Sequence, residues 1–120
     1  MRLELVPLPV SDVDRSMKFY LDQVGFVLDH DVEPGNGMRV VQLTPPGSAC
    51  SIVVGLGTQD PDAGPVRGLH LVVEDLDEAR GTLQGNGVEV SDVNDMGGGV
   101  RYAYFADPDG NSWALQEISR

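Results

Sequence analysis

Two stretches of the chain, 63 positions apart, repeat one supersecondary unit. Val10-Ser11-Asp12-Val13-Asp14 is answered by Val73-Glu74-Asp75-Leu76-Asp77, and Pro45-Pro46-Gly47-Ser48 by Pro108-Asp109-Gly110-Asn111. The first pair falls at a strand-to-helix junction and the second at a hairpin turn. One register shared by two kinds of element predicts a duplicated unit, and a duplicated unit predicts a paired cleft. In a chain of 120 residues, neither half alone would bury enough apolar surface to offset the ordering of its backbone. The halves are therefore expected to fold together or with a partner chain.

Each half reads as βαβββ. Leu3 to Val10 alternates as a strand whose Pro7 and Pro9 cannot donate to a ladder, which suits an edge. Ser11 or Asp12 then caps a helix with apolar positions at Val13, Met17, Tyr20, Leu21 and Val24, ending before Gly25. Phe26-Val27-Leu28 opens a strand, 33–37 is a turn, and 38–43 and 49–54 are the arms of a hairpin around Pro45-Pro46-Gly47. In the second half, Gly68 to Val73 is a strand. Asp75 caps a helix with Glu78 as capping-box partner, Leu76, Ala79 and Leu83 on its buried side, and Gly85-Asn86-Gly87 closing it. Residues 88–90, 100–105 and 112–118 supply three strands, with Asp107-Pro108-Asp109-Gly110-Asn111 as the last turn. The chain thus divides into module 1, about 1–56, a polar linker, about 57–65, and module 2, about 66–120.

Nineteen acidic against eight basic residues give a formal charge of −11. Phosphate neutralisation needs clustered Lys and Arg, so the balance argues against nucleic acid. A neutral or cationic small molecule fits better, although solubility alone also accounts for the acidity. Cys50 is the single cysteine, which precludes an intramolecular disulfide and reads as a small core residue. Met1-Arg2-Leu3-Glu4 places an acid where a secretory leader needs an apolar run, and no segment approaches membrane-spanning length. A cytoplasmic location without membrane contact is expected.

Asp107-Pro108-Asp109-Gly110-Asn111-Ser112-Trp113, within Tyr104 to Glu117, resembles the carboxy-terminal signature of the vicinal oxygen chelate superfamily, which includes glyoxalases, bleomycin resistance proteins and extradiol dioxygenases. Val10-Ser11-Asp12-Val13-Asp14-Arg15-Ser16, followed by Phe19-Tyr20 and Gly25-Phe26, resembles its amino-terminal one. The resemblance implies an α+β fold of two tandem βαβββ modules, each curling into half of an open barrel. It also implies a homodimer in which one module of each chain completes a cavity. In the family's metal enzymes, His, Gln or Glu ligands stand on the first and fourth strands of each module.

Carried across, those positions fall on Leu5 and Ser51 in module 1 and on Gly68 and Ala114 in module 2, all in the common register. None is a metal ligand, since zinc takes imidazole or thiolate and harder cations take several carboxylate oxygens. A site without metal or cofactor is expected. A two-residue slip of the second module's first strand would bring His70 into a ligand place, on the same face as Gly68. One histidine is not a metal site. His70 is the only candidate catalytic group, as a proton relay. It reads equally as a ligand contact or as an interior histidine bonded to a backbone carbonyl or Gln116.

Pro7 shares the parity of Leu5, and Ser112 and Gln116 share that of Ala114, so these extend the candidate ligand-binding surface. Tyr102 and Tyr104 occupy one strand face and Phe105 the other. If the cavity lies on the side of Ala114 and Gln116, Trp113 packs against the helix, and either the tyrosines or Phe105 line the site. Gly97-Gly98-Gly99 reads as a hairpin loop, or as a lip over the cavity mouth. The implied function is metal-free binding of a hydrophobic or cationic small molecule, with antibiotic sequestration foremost. The alternative is a glyoxalase-like or dioxygenase-like lyase, isomerase or oxygenase with a non-standard site.

Overall fold

The computed structural model describes residues 1, 3–35, 37–56 and 64–118. The chain divides into two compact units, residues 1–65 and 66–120. Residues 57–63 of the expected linker lie outside the described residues. The first unit runs β1 (Leu5–Pro7), α1 (Val13–Lys18) prolonged by a π-helical stretch (Phe19–Val24), β2 (Val27–Gly35), β3 (Met38–Thr44) and β4 (Ser51–Leu56). The second runs β5 (Leu69–Val72), α2 (Leu76–Gly85), β6 (Asn94–Asp95), β7 (Val100–Ala106) and β8 (Ser112–Ile118). The sheets are ordered β1-β4-β3-β2 and β5-β8-β7-β6. In each, the first strand lies parallel to the fourth and the remaining pairs are antiparallel. These are two tandem α+β modules of one topology, and neither sheet closes into a barrel.

Local chemistry sets the boundaries. Asp12 accepts from the Arg15 N–H at 3.1 Å and Asp75 from the Glu78 N–H at 3.0 Å, so each helix starts where a carboxylate satisfies an orphan donor. Gly25 ends the first helix at φ 93°, a left-handed conformation in which a Cβ is strained. Strand β1 is three residues long rather than eight, because Pro7 and Pro9 carry no N–H. The strand expected at 88–90 is not formed. Val88 N–H donates to Leu83 O at 3.0 Å, closing the end of α2. Ser91 N–H donates to Tyr104 O at 2.9 Å, but the return bond goes to its side chain: Ser91 Oγ accepts the Tyr104 N–H at 2.9 Å, where a strand would offer a carbonyl. Ladder pairing starts at Asn94 and Asp95, opposite Tyr102 and Arg101. Gly97-Gly98-Gly99 all take positive φ in the turn that follows.

One face of each sheet is buried. In the first module Val41, Leu43, Ile52 and Val54 share a face by register and are at most 3% exposed. Val13, Ser16, Phe19 and Tyr20 are the buried side chains of the helical segment. In the second module Ala103, Phe105, Trp113 and Leu115 form the matching layer, with Leu76 and Leu83 of α2 buried. Phe105 and Trp113 stack with centroids 6.2 Å apart.

An arginine of the third strand ties each sheet to the first turn of its helix. Arg39 grips Asp31 with two N–H groups, at 3.0 and 2.9 Å, and reaches Asp14 at 2.8 Å. Arg101 donates to Glu117 at 2.8 Å and to Asp77 at 3.3 Å. Asp14 and Asp77 stand at the duplicated offset. The Arg39 guanidinium holds the Asp31 carboxyl below the usual carboxylate range. The Leu76 N–H, at 3.0 Å, and then Arg101 do the same for Glu117. A carboxyl depressed by folding stabilises the native state above its unfolded pKa, and that contribution is lost as pH falls through the folded value. The thermal midpoint is therefore expected to be insensitive to these two groups from neutrality to about pH 5 and to fall below about pH 4. Arg101→Gln should flatten the Glu117 part of that fall, as read by melting curves between pH 3 and 7.

Candidate functional site

The unburied face of the second sheet gathers most of the sequence-derived candidates. Its ladder sets His70 beside Ala114, Ala114 beside Tyr104, and Gln116 beside both Val72 and Tyr102. Residues paired across a ladder point to the same side, so these side chains share the face away from α2. His70 Nδ1 lies 2.9 Å from Gln116 Oε1. An amide oxygen only accepts, so Nδ1 donates, and a neutral ring keeps its acceptor at Nε2. Tyr102 meets His70 edge-on at 5.5 Å between centroids and lies nearly parallel to Tyr104 at 6.2 Å. Tyr104 is 44% exposed, whereas Ala114 is 3% exposed. The tyrosines therefore share the face of Ala114 and Gln116, and Phe105 and Trp113 lie on the helix side.

Ser112 Oγ accepts the Gly68 N–H at 3.4 Å. Gly68 itself precedes β5 with φ 81°, and nothing lies within 4 Å of an added Cβ. The glycine serves the backbone there, not a lack of room.

The register corrects the offset expected for the first strands. Leu5 is opposite Ser51, as the sequence reading placed it, but His70 and not Gly68 is opposite Ala114. Leu5 and His70 stand 65 positions apart, against 63 for Ser51 and Ala114. The difference arises at the junction: Leu8 N–H donates to Val53 O four residues before the Asp12 cap, while Val73 N–H donates to Gln116 O two residues before Asp75.

In the first module the face away from the helix carries Leu5 and Pro7, both exposed, beside Ser51 and Val53, both buried at 5% exposure. Gln42 lies opposite Val53, and Thr44 Oγ1 is 2.6 Å from Ser51 Oγ. Asp29 of β2 joins them. Sequence reasoning missed Asp29, Gln42 and Thr44. The alternation of Val41 and Leu43 with Gln42 and Thr44 was a signal for two of them; Asp29 sits at a register irregularity in β2 that no alternation marks.

The superfamily's metal would need donors at the first- and fourth-strand positions. Those positions hold Leu5 and Ser51 in the first module and His70 and Ala114 in the second, a hydroxyl beside a hydrocarbon and an imidazole beside a methyl group. Neither pair fits zinc or a harder cation. Among the described residues no group of three or more His, Cys, Asp or Glu stands together, and no helix is long and apolar enough to cross a membrane.

The family model of the Glyoxalase/Bleomycin resistance protein/Dioxygenase superfamily matches residues 2–115. Among solved structures, TnmS3, an antibiotic binding protein from Streptomyces sp. CB03234, is 37% identical over 99% of this chain and 97% of its own, with a TM-score of 0.84. A glyoxalase/bleomycin resistance protein from the same organism is 38% identical over 95% of this chain and 98% of its own, with a TM-score of 0.78. A member of the superfamily from Sphaerobacter thermophilus DSM 20745 is 31% identical over 98% and 97%, with a TM-score of 0.86. No curated protein matches. With the repeated βαβββ topology and a family match spanning nearly its whole length, the chain belongs to the Glyoxalase/Bleomycin resistance protein/Dioxygenase superfamily.

Proposed function

We propose that this protein binds hydrophobic or cationic small molecules, antibiotics among them, and sequesters them without transforming them. The observation that carries the reading is the exchange, at the superfamily's ligand positions, of metal donors for Leu5, Ser51 and Ala114, with His70 alone able to ligate. Beside Ala114 the same face presents Tyr102 and an exposed Tyr104, a flat surface for a planar guest. Likeness to the antibiotic binding protein TnmS3 supports the reading. So does the net charge of −11, which favours a basic guest. The functional unit in this reading is a homodimer in the cytoplasm, and Leu5, Pro7, Ser51, His70, Tyr102, Tyr104, Ser112 and Gln116 are its contact residues.

Thermal shift measurements against a panel of antibiotics and against Ni, Zn, Mn and Fe salts test it. A true ligand at about a hundredfold its Kd should stabilise the fold by about 2.7 kcal/mol, and the cations should not. A stoichiometric transition metal bound by the purified protein would refute the reading. Tyr104→Ala should weaken an aromatic ligand by about 1 kcal/mol, roughly fivefold in Kd by titration, without lowering the melting point. A second reading, proton transfer by His70, draws on the acceptor left at Nε2 by the Gln116 contact. Turnover of a bound ligand that is lost in His70→Gln would favour it.

A further inference from the structure

The first module's face away from the helix carries a polar network whose donors are all spent within it. A carboxylate only accepts, so Thr44 Oγ1 spends its one hydrogen on Asp29 Oδ2. In the 2.6 Å contact between Thr44 and Ser51, Ser51 is then the donor. Gln42 Nε2 donates to Ser51 Oγ at 3.4 Å and stands 3.5 Å from Asp29 Oδ2. Every donor of the network is thereby directed inward, and what it offers a guest is acceptors: Asp29 Oδ1 and Gln42 Oε1. Ser51 anchors the network at 5% exposure, while Asp29 is exposed.

Two features set Asp29 apart from the other acids of the module. Asp29 follows Leu28, which pairs with Leu43, so alternation sets it on the face of Gln42 and Thr44, and the register shift between Leu28 and His30 leaves it with no paired residue of its own in β3. Asp14 and Asp31 are neutralised by Arg39 on the opposite face. Among the described residues no arginine, lysine or histidine pairs with Asp29. Among these residues its hydrogen-bond partners are neutral donors, Gln42 and Thr44.

We propose that Asp29, with Gln42, Thr44 and Ser51, is the binding point for a protonated amine or other cationic N–H group of a small-molecule guest. The inference rests on the small-molecule reading above and adds the guest's chemical class and the carboxylate that recognises it. Two fluorescent probes of similar shape separate them: 9-aminoacridine, a planar cation at pH 7.5, and acridine, neutral at that pH. Wild-type protein should bind the cation more tightly. Asp29→Asn keeps the acceptor for Thr44 and removes the charge; it should weaken 9-aminoacridine about tenfold, as expected for a charge-assisted hydrogen bond, and leave acridine within about twofold. Glu33→Gln, an exposed acid on the same strand, should change neither. A cation preference that survives in Asp29→Asn, or none in wild type, overturns the inference while the small-molecule reading stands. Binding of neither probe by wild-type protein counts against that reading and takes the inference with it.

Discussion

Replacing Tyr20 with alanine should cost the first module about 4 kcal/mol, the range for deleting a large buried aromatic side chain. Tyr20 is fully buried, with the Phe19 ring edge-on at 5.1 Å and the Phe26 ring at 5.3 Å. It also sits where the helix widens into its π-helical stretch: the carbonyl of Tyr20 accepts from both Gly25 and Phe26, at 2.9 and 2.8 Å. Removing the ring leaves a void between two aromatic neighbours whose backbone is fixed by those bonds, so collapse around it is restricted. Urea denaturation measures the loss as a lower midpoint at unchanged slope. Tyr20→Phe, which keeps the ring, should lose much less than the alanine variant. Equal losses would show that the hydroxyl and not the packing holds this position.

Asn111→Ala should cost the second module about 3 kcal/mol. Asn111 is fully buried in the turn before β8; its Oδ1 accepts the Val66 N–H at 2.8 Å and its Nδ2 donates to Asp107 Oδ2 at 2.8 Å. Alanine takes a partner from each, and a buried polar group deprived of its partner costs about 1–3 kcal/mol. Asn111→Asp tests the donor separately. It keeps an oxygen for Val66 but sets a second carboxyl against Asp107, so it should be no better than alanine at neutral pH. A loss under 1 kcal/mol for alanine would mean that the turn closes without this side chain.

The fold was legible because its punctuation is chemical and local. Asp12 and Asp75 cap helices wherever a carboxylate can reach an orphan N–H, and the turn around Gly110 carries its own residue preferences. Alternation in β3 and β8 likewise separates Val41 and Leu43 from Gln42, and Trp113 and Leu115 from Ala114 and Gln116. Illegible were features set by contacts distant in sequence. Residues 88–90 have strand-like composition, yet the Val88 N–H is taken by the end of α2, and at Ser91 the hydroxyl accepts the Tyr104 N–H that a strand's carbonyl would take. Asp29 meets Gln42 and Thr44 only because β2 pairs with β3 in this register, which the sequence of β2 does not mark. The placing of His70 beside Ala114 depended on how many residues separate a strand from the next helix cap, a count that the repeat itself disguised.

That count has a consequence for how such a duplicated chain can diverge. The second copy spends two fewer residues between its first strand and its helix, an even step, and an even step slides a strand lengthwise without rolling it over. His70 thereby came to occupy the place that Leu5 holds in the other copy, while Leu69 and Leu71 stayed turned towards α2. A deletion of one residue would have brought an imidazole into the hydrophobic interior and leucines to the surface. Length changes in pairs are thus the route by which one copy can acquire new chemistry on its working side while its interior stays as it was.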